Sequence, residues 1–347
     1  MAHLVFRIQM LDHSKGYGAK KPKALALLSG GLDSTLAVKL VLEQGINVEV
    51  VNFATPFCLC DHCSLEKFVK ELDLKVHRIF LGQEFLDIVA DPPHGRGSQM
   101  NPCIDCRILM MKKAKELLKA TGAEFIVTGE VLNERPFSQR KEAMLHIEKK
   151  AGLEGKILRP LSANLLPETE PERMGWVNRQ KLLSIEGRRR LPQIELAKKM
   201  DIGDYPCPSG GCLLTDPEFA QRLKEHLDHD KSLTNKDIVL LRLGRHFRLG
   251  NTKVVVGRNE EENNKLLTIA ESRELPYLET VDYVGPITLF LGKDEHGNLE
   301  KAAAITVRYS DAPKDVPVSV SCAIGSKKLS CLNVTAVDDR ETEKLRV

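Results

Sequence analysis

The chain has no apolar run approaching the roughly 18 to 20 residues that a membrane helix needs, and residues 1–22 are interrupted by Arg7, Gln9, Asp12 and Lys15. Neither a membrane span nor a secretory leader is expected, and the sequence predicts a soluble, cytoplasmic protein. A strong charge of either sign is also missing: 51 Lys and Arg against 48 Asp and Glu leave a formal net charge of +3. Bulk electrostatics neither requires nor excludes nucleic acid, so the placement of basic residues matters more than their number. There is no Gly-x-x-x-x-Gly-Lys phosphate loop, which removes the Walker route to nucleotide binding. Cysteine, by contrast, is plentiful. Nine cysteines without an export signal argue against a disulfide framework, and seven of them lie in clusters between Cys58 and Cys212. That distribution points to metal or sulfur chemistry.

What is present divides along the chain. At 347 residues there is room for two or three compact domains. Ala24 to Leu28 is an apolar run suited to a central parallel strand, and Asp33 and Ser34 open an amphipathic helix expected to continue to Gln44. Between them, Ser29, Gly30 and Gly31 form a turn whose missing side chains let the backbone approach a ligand. The amides at the helix start then attract phosphate oxygens. Strands are expected over 47–51, 75–80 and 125–128, alternating with helices over 65–72 and 108–120. This alternation predicts an α/β fold, a doubly wound parallel sheet, with a smaller α+β domain after it. Boundaries are placed at 1–22 for a leader, 23–228 for the nucleotide domain and 236–347 for the second domain. The polar stretch 229–235 serves as linker.

The pattern Ser-Gly-Gly-x-Asp-Ser after a strand, here Ser29 to Ser34, resembles the PP-loop of the ATP pyrophosphatase superfamily, enzymes that cleave ATP between its α and β phosphates and adenylate a carbonyl oxygen. The segment Ile126-Val127-Thr128-Gly129-Glu130, then Ser138-Gln139 and Ile157-Leu158-Arg159-Pro160-Leu161, resembles the catalytic domain of tRNA 4-thiouridine synthetases. These resemblances imply an ATP site built from Ser29, Gly30, Gly31, Asp33 and Ser34, with the backbone near Phe53 at adenine and Gly129 and Glu130 at the nucleotide edge. Mg²⁺ is implied as the partner of the phosphates, and Asp33 as a catalytic residue.

Cys103 and Cys106 stand at an expected helix start, where amides and Arg107 should lower the thiol pKa values below the usual ~8.5. Asn101-Pro102-Cys103-x-x-Cys106, with Ser209-Gly210-Gly211-Cys212 about a hundred residues on, resembles the tRNA 2-thiouridylases. In that family an Asn-Pro-Asp-x-x-Cys segment is paired with a later Ser-Gly-x-Cys. The resemblance makes Cys106 and Cys212 catalytic, with Cys103 in the aspartate position. As metal ligands, Cys103, Cys106 and Cys212 would leave one iron of a 4Fe-4S cluster open for sulfur. A mechanism without a cluster, through a persulfide on Cys212 or Cys106, stands beside it. Cys207 is ranked below these three. Cys58, Cys60 and Cys63 remain open between a metal role and reduced structural thiols, whereas Cys322 and Cys331 read as buried small residues.

Residues 236–260 carry six Lys or Arg against two acids, with Phe247 beside them as a base-stacking candidate. Val254 to Asn259, Gly285-Pro286, Ala302 to Ala304 and Arg308-Tyr309-Ser310 resemble the RNA-binding domain of the NFACT ribosome quality-control proteins. In 4-thiouridine synthetases the RNA-binding modules precede the PP-loop, whereas 28 residues precede Ser29 here, so the grip on tRNA is expected from the second domain. Arg188 to Arg190 reads equally as solvated surface or as phosphate contacts. Together these features predict an ATP-dependent tRNA uridine thiolating enzyme leaning to 4-thiouridine, supplied with sulfur as sulfide or by a cysteine desulfurase. A 2-thiouridine product, the same ATP chemistry with ammonia as nucleophile, and a non-catalytic RNA-binding factor with a relic nucleotide site are the rivals.

Overall fold

The computed structural model describes residues 22–58, 63–203 and 211–347. The leader through residue 21, Cys60, His62, Cys207 and the side chain of Cys63 lie outside the described residues. The chain separates into two compact units, each interleaved in sequence: Met1–Phe53 with His62–Arg78 and Met110–Pro208, and Ala54–Asp61 with Ile79–Leu109 and Ser209–Val347.

The first sheet is parallel. Its strands are β1 (Lys23–Leu27), β2 (Asn47–Ala54), β3 (Val76–Phe80), β4 (Phe125–Thr128) and β5 (Ile157–Leu158), in the order β3-β2-β1-β4-β5. The chain starts at the centre and winds outward to both edges, as expected for a doubly wound sheet, which places the carboxyl ends of β1 and β4 side by side. The helices of this half are α1 (Leu32–Leu42), α2 (Cys63–Glu71), α3 (Gln83–Ala90), α4 (Cys103–Thr121), α5 (Lys141–Ala151), α6 (Glu170–Arg173) and α7 (Leu191–Lys199).

Helix α1 departs from the amphipathic segment expected of it. Ala37, Val38 and Val41 pack into the cluster that holds Ala24, Ala26 and Val127, while Leu32, Leu36 and Leu40 pack on the opposite side with Ala197 and Ile194 of α7. Sandwiched between sheet and helix, α1 is buried on nearly every face. A helix covered on both sides loses the polar stripe that marks a surface helix. Between β1 and β3, Glu49 on β2 lies 2.8 Å from Lys23 Nζ and 2.7 Å from His77 Nε2. Burial works to raise the Glu49 carboxyl, but hydrogen bonds from Lys23 and His77 and the charges of Lys23 and Lys75 overcome it and hold the group at about 2.

The second sheet is antiparallel, with β6 (Arg245–Leu249), β7 (Thr252–Val256), β8 (Tyr277–Thr280), β9 (Thr288–Leu291), β10 (Val318–Ile324) and β11 (Lys327–Val334) in the order β11-β10-β8-β9-β7-β6. Helices α8 (Pro217–His229), α9 (Asn235–Leu241), α10 (Glu260–Arg273), α11 (Asn298–Arg308) and α12 (Asp339–Leu345) accompany it. One side packs α11 through Ala302, Ala303 and Ile305 against Phe247, Val254 and Val320; the other packs α10 through Leu266 and Ile269 against Val255 and Leu289. Alternation along β7 sends Val254 and Val256 to one cluster and Val255 to the other, the period-2 rule of a strand covered on both faces.

Two expectations are corrected here. Phe247 is fully buried, its ring 5.9 Å from that of Tyr309, so it fills the core and offers no face to a base. The reason is register: Phe247 pairs with Val254, and both pack in the cluster under α11. Cys322 is buried, but Cys331, on the outermost strand, is exposed. The stretch 229–235 also does more than connect: Leu233 is 2 % exposed and its carbonyl accepts from Gln83 Nε2 at 2.9 Å.

Candidate active site

Between β1 and α1 the chain makes the turn anticipated for Ser29 to Gly31. Gly30 has φ +83°, in the left-handed region, and an added Cβ would lie 3.2 Å from Leu65 Cβ. A side chain at this position therefore meets both backbone strain and a neighbour. Gly31 is the N-cap of α1 and offers no side-chain cap, so the first amides of the helix are left for another acceptor. The hydroxyls beside them are oriented: Ser34 Oγ donates to Gly31 O at 2.9 Å, Thr35 Oγ1 donates to the same carbonyl at 3.0 Å, and Ser29 Oγ lies 3.2 Å from Ser34 Oγ.

The neighbouring strand end closes on this turn. A Cβ on Gly129 would stand 2.4 Å from Ser34 N and 2.5 Å from Asp33 C, so only glycine permits the approach. Glu130 is 2 % exposed and pairs with Arg159, whose Nε is 3.0 Å from its carboxylate and whose Nη1 bonds Glu148. Thr128 Oγ1 also donates to Glu130, at 3.2 Å. The Glu130 carboxylate thus anchors Arg159 and stiffens the strand end. Phe53 is half-buried at the end of β2, beside Asn52, whose amide donates to Leu28 O at 2.9 Å and ties β2 to the residue preceding the turn.

Asp33 sits in the first turn of α1 among charges that the local motif does not reveal. Burial raises its pKa to about 6, with Glu134 adding to the rise and Arg190, Arg135 and the Gln193 amide pulling it back. Arg190 Nη2 is 3.9 Å from Asp33 and 2.5 Å from Glu134. Of the three consecutive arginines, Arg188 and Arg189 are exposed, whereas Arg190 is turned in toward Asp33. Asp33 Oδ1, Arg190 Nη1 and both amide atoms of Gln193 are buried without a hydrogen-bond partner; Gln193 is close enough to act on Asp33 yet outside bonding geometry. A carboxylate oxygen, one guanidinium nitrogen and an amide left unpaired beside open helix amides form a donor and acceptor set that fits a nucleotide polyphosphate and a hard cation.

The cysteines gather in the second unit. Cys58 and Cys212 face one another in an antiparallel bridge, with Leu213 N donating to Phe57 O at 2.9 Å. Phe57 holds this arm through edge-on contacts with Phe85 and Phe219, ring centroids 5.8 and 5.9 Å away. Helix α4 begins at Cys103, as expected, and its first helical bond runs from Cys106 N to Pro102 O at 2.8 Å. Asn101 Nδ2 donates to Cys103 Sγ at 3.0 Å, and Asp105 takes His94 Nδ1 at 2.6 Å and His94 N at 3.0 Å, fixing the preceding loop to the helix start. Cys58 Sγ accepts from Thr55 N at 3.4 Å.

The lowered thiol expected at this helix start is not found for Cys106. Burial pushes it up to about 12, Arg107 opposes the rise, and the nearby thiols of Cys212, Cys103 and Cys58 add to it. Desolvation outweighs the helix end and the arginine. The structure thus places the thiols of Cys103, Cys212 and Cys58 near that of Cys106. Sequence spacing leaves Cys58 undecided because its partner, Cys212, is remote in the chain. Among the described residues no three His, Cys, Asp or Glu side chains converge to hold a single metal ion. A cubane sets a different requirement, since its irons occupy separate corners and each protein thiolate binds a different one; three thiolates suit that donor chemistry and leave one iron open.

Against known proteins, residues 19–164 match the family model described as Thiamine biosynthesis protein (ThiI), and residues 244–346 match that of the NFACT protein RNA binding domain. The chain is 30 % identical over 148 residues to a probable tRNA sulfurtransferase of Thermococcus kodakarensis, covering 40 % of this chain and 36 % of the relative. It is 23 % identical over 224 residues to the tRNA-specific 2-thiouridylase MnmA of Pseudomonas fluorescens, covering 60 % and 56 %. Among solved structures, a 4-thiouridine synthetase–RNA complex with bound ATP is similar over 63 % of this chain and 52 % of that one, at 22 % identity and a TM-score of 0.35. The chain thus spans between about a third and just over half of the length of the curated relatives it matches.

Proposed function

We propose, from the pairing of a ThiI-type segment with an NFACT-type RNA-binding segment in one chain, that the protein is an ATP-dependent tRNA sulfurtransferase that thiolates a uridine. Residues 23–228 act as its activating and sulfur-transfer part, and 236–347 as its RNA-binding part. The observation that carries the sulfur chemistry is the gathering of Cys58, Cys103, Cys106 and Cys212, distant in sequence, at one place in a chain that also holds an open PP-loop.

In the activating step the uracil carbonyl oxygen bonds to the α phosphorus of ATP and the bond to the bridging oxygen breaks, releasing pyrophosphate. The amides at the start of α1 and the Ser29 and Ser34 hydroxyls hold the departing phosphates, so that charge develops where donors already point. Arg190, fixed by Glu134, adds a positive charge beside them. The unpaired Asp33 Oδ1 would hold Mg²⁺, which offsets phosphate charge when bound. The Gly129 edge limits the pocket, with Glu130 and Arg159 keeping it rigid and Phe53 beside the adenine. A sulfur nucleophile then attacks the activated carbon, and AMP leaves with the original oxygen.

Cys103, Cys106 and Cys212 would hold a 4Fe-4S cluster, with Cys58 adjoining them. Such a cluster supplies an iron at which sulfide can be kept. Sulfur arrives as sulfide or from a cysteine desulfurase. The lean is to 4-thiouridine, since residues 19–164, with the PP-loop turn and the Gly129 edge, match the ThiI model. Nucleoside mass spectrometry on tRNA from a deletion strain tests the reading: disappearance of 4-thiouridine supports it, loss of a 2-thiouridine transfers the chemistry to the other carbonyl, and an unchanged profile sinks it. Asp33→Ala and Cys212→Ala are each expected to abolish thionucleoside formation while tRNA binding persists.

A further inference from the structure

Away from the thiols, α8, the start of β6, the end of β7 and the last residues of the chain enclose a cavity of about 300 Å³. Its walls carry four guanidinium groups, Arg222, Arg245, Arg258 and Arg346, against the carboxylates of Glu218 and Glu343. Two of the four are held in place. Arg258 Nε lies 3.0 Å from both oxygens of Glu262, and Arg245 stacks 4.6 Å above the Tyr309 ring while Nη1 donates to Gly257 O at 3.3 Å. The other two have no side-chain hydrogen bond or ion pair among the described residues. Arg222 Nε is buried and unpartnered, and burial together with the charge of Arg258 depresses the Arg222 guanidinium below its ordinary value.

A guanidinium whose Nε is buried without a partner is unfavourable unless an anion completes it, and guanidinium forks match phosphate oxygens in pairs. At about 300 Å³ the cavity has room for a phosphate carrying one substituent. We propose that this cavity receives a phosphate monoester, the 5′-phosphate at the end of an RNA or a small phosphate free in solution. The RNA source rests on the tRNA reading above; the cavity itself does not. Arg222 precedes the segment that matches the RNA-binding family model, so the site joins that module to the helix that follows Cys212.

Thermal unfolding of the full chain in inorganic phosphate, with chloride at matched ionic strength as control, reads the cavity directly. Phosphate should raise the midpoint of the wild type, and the gain should vanish in Arg222→Met and shrink in Arg346→Gln. Because Arg346 is exposed, its variant keeps the test open if Arg222→Met fails to fold in chloride. No gain in the wild type, or an equal gain in both variants, overturns the proposal. Binding of tRNA with and without its 5′-phosphate separates the sources. About a tenfold weakening on dephosphorylation, erased in the variants, assigns the RNA end, whereas equal binding alongside phosphate stabilisation assigns a small phosphate. If neither tRNA form binds, the tRNA reading fails while the phosphate measurement still decides the cavity.

Discussion

Asp33 holds opposing demands. The proposed reaction wants its carboxylate next to a cation and phosphates, yet in the protein alone burial and Glu134 keep it protonated up to about pH 6, against 3.8 for the free group. Between those values the unfolded chain has released the proton and the folded chain retains it. Stability therefore falls as pH rises from about 4 to 6 and stays lower above, by on the order of 1–3 kcal/mol. Asp33→Asn should remove that cost. The variant is expected to unfold at a higher temperature than the wild type near neutral pH, to match it below about pH 4, and to lose ATP–pyrophosphate exchange. A variant less stable than the wild type at neutral pH contradicts the assignment. The turn Ser29 to Ser34 is legible in the sequence because glycine, serine and helix start are neighbours in the chain. Glu134, Arg190 and Gln193 are about a hundred residues or more away, and nothing in their local composition marks them. Arg190 is the instructive case, one of three consecutive arginines, distinguished from the other two only by the fold.

At the scale of elements, α8 shows how the segment after Cys212 is secured. Its Glu225 lies 2.5 Å from Arg248 Nε on β6 and 3.2 Å from Lys253 Nζ on β7. Burial works to raise this carboxyl, but the hydrogen bond from Arg248 and the charge of Lys253 prevail and hold it below its ordinary value. Lys253 is itself 6 % exposed, so removing its counter-charge leaves a buried ammonium unpaired. Glu225→Gln should cost about 1–3 kcal/mol, read by urea unfolding, while Lys265→Ala, which breaks the exposed pair with Glu261 on α10, should cost under about 1 kcal/mol. Strands β1 and β4 are legible from their apolar runs, and α4 from its start after Asn101-Pro102. The burial of α1 on both sides is not, because a helix between two apolar layers has no periodic contrast. The burial of Phe247 is hidden for a related reason: the basic residues around it mask a strand position whose pairing with Val254 puts it under α11.

Across the whole molecule, the compact units do not follow the linear boundary near residue 236. The stretch Ile79–Leu109, which brings Cys103 and Cys106, belongs with the carboxyl-terminal residues. Truncation after residue 235 is therefore expected to do more than remove RNA binding: alkylation of Cys103 and Cys106 and amide exchange over 79–109 should both accelerate relative to the full chain. Unchanged protection of these residues would show that the amino-terminal segments stand on their own. The bridge between Cys58 and Cys212 carries this into the life of the chain during synthesis. The two residues are 212 − 58 = 154 positions apart, and at about 5–20 residues per second a ribosome needs roughly ten to thirty seconds to pass from one to the other. During that interval strands β3 and β4 are added to β1 and β2, while Cys58 still waits for its partner. An unfinished chain can thus pair its first strands before this bridge exists, and the bridge forms only after the ribosome has passed residue 212.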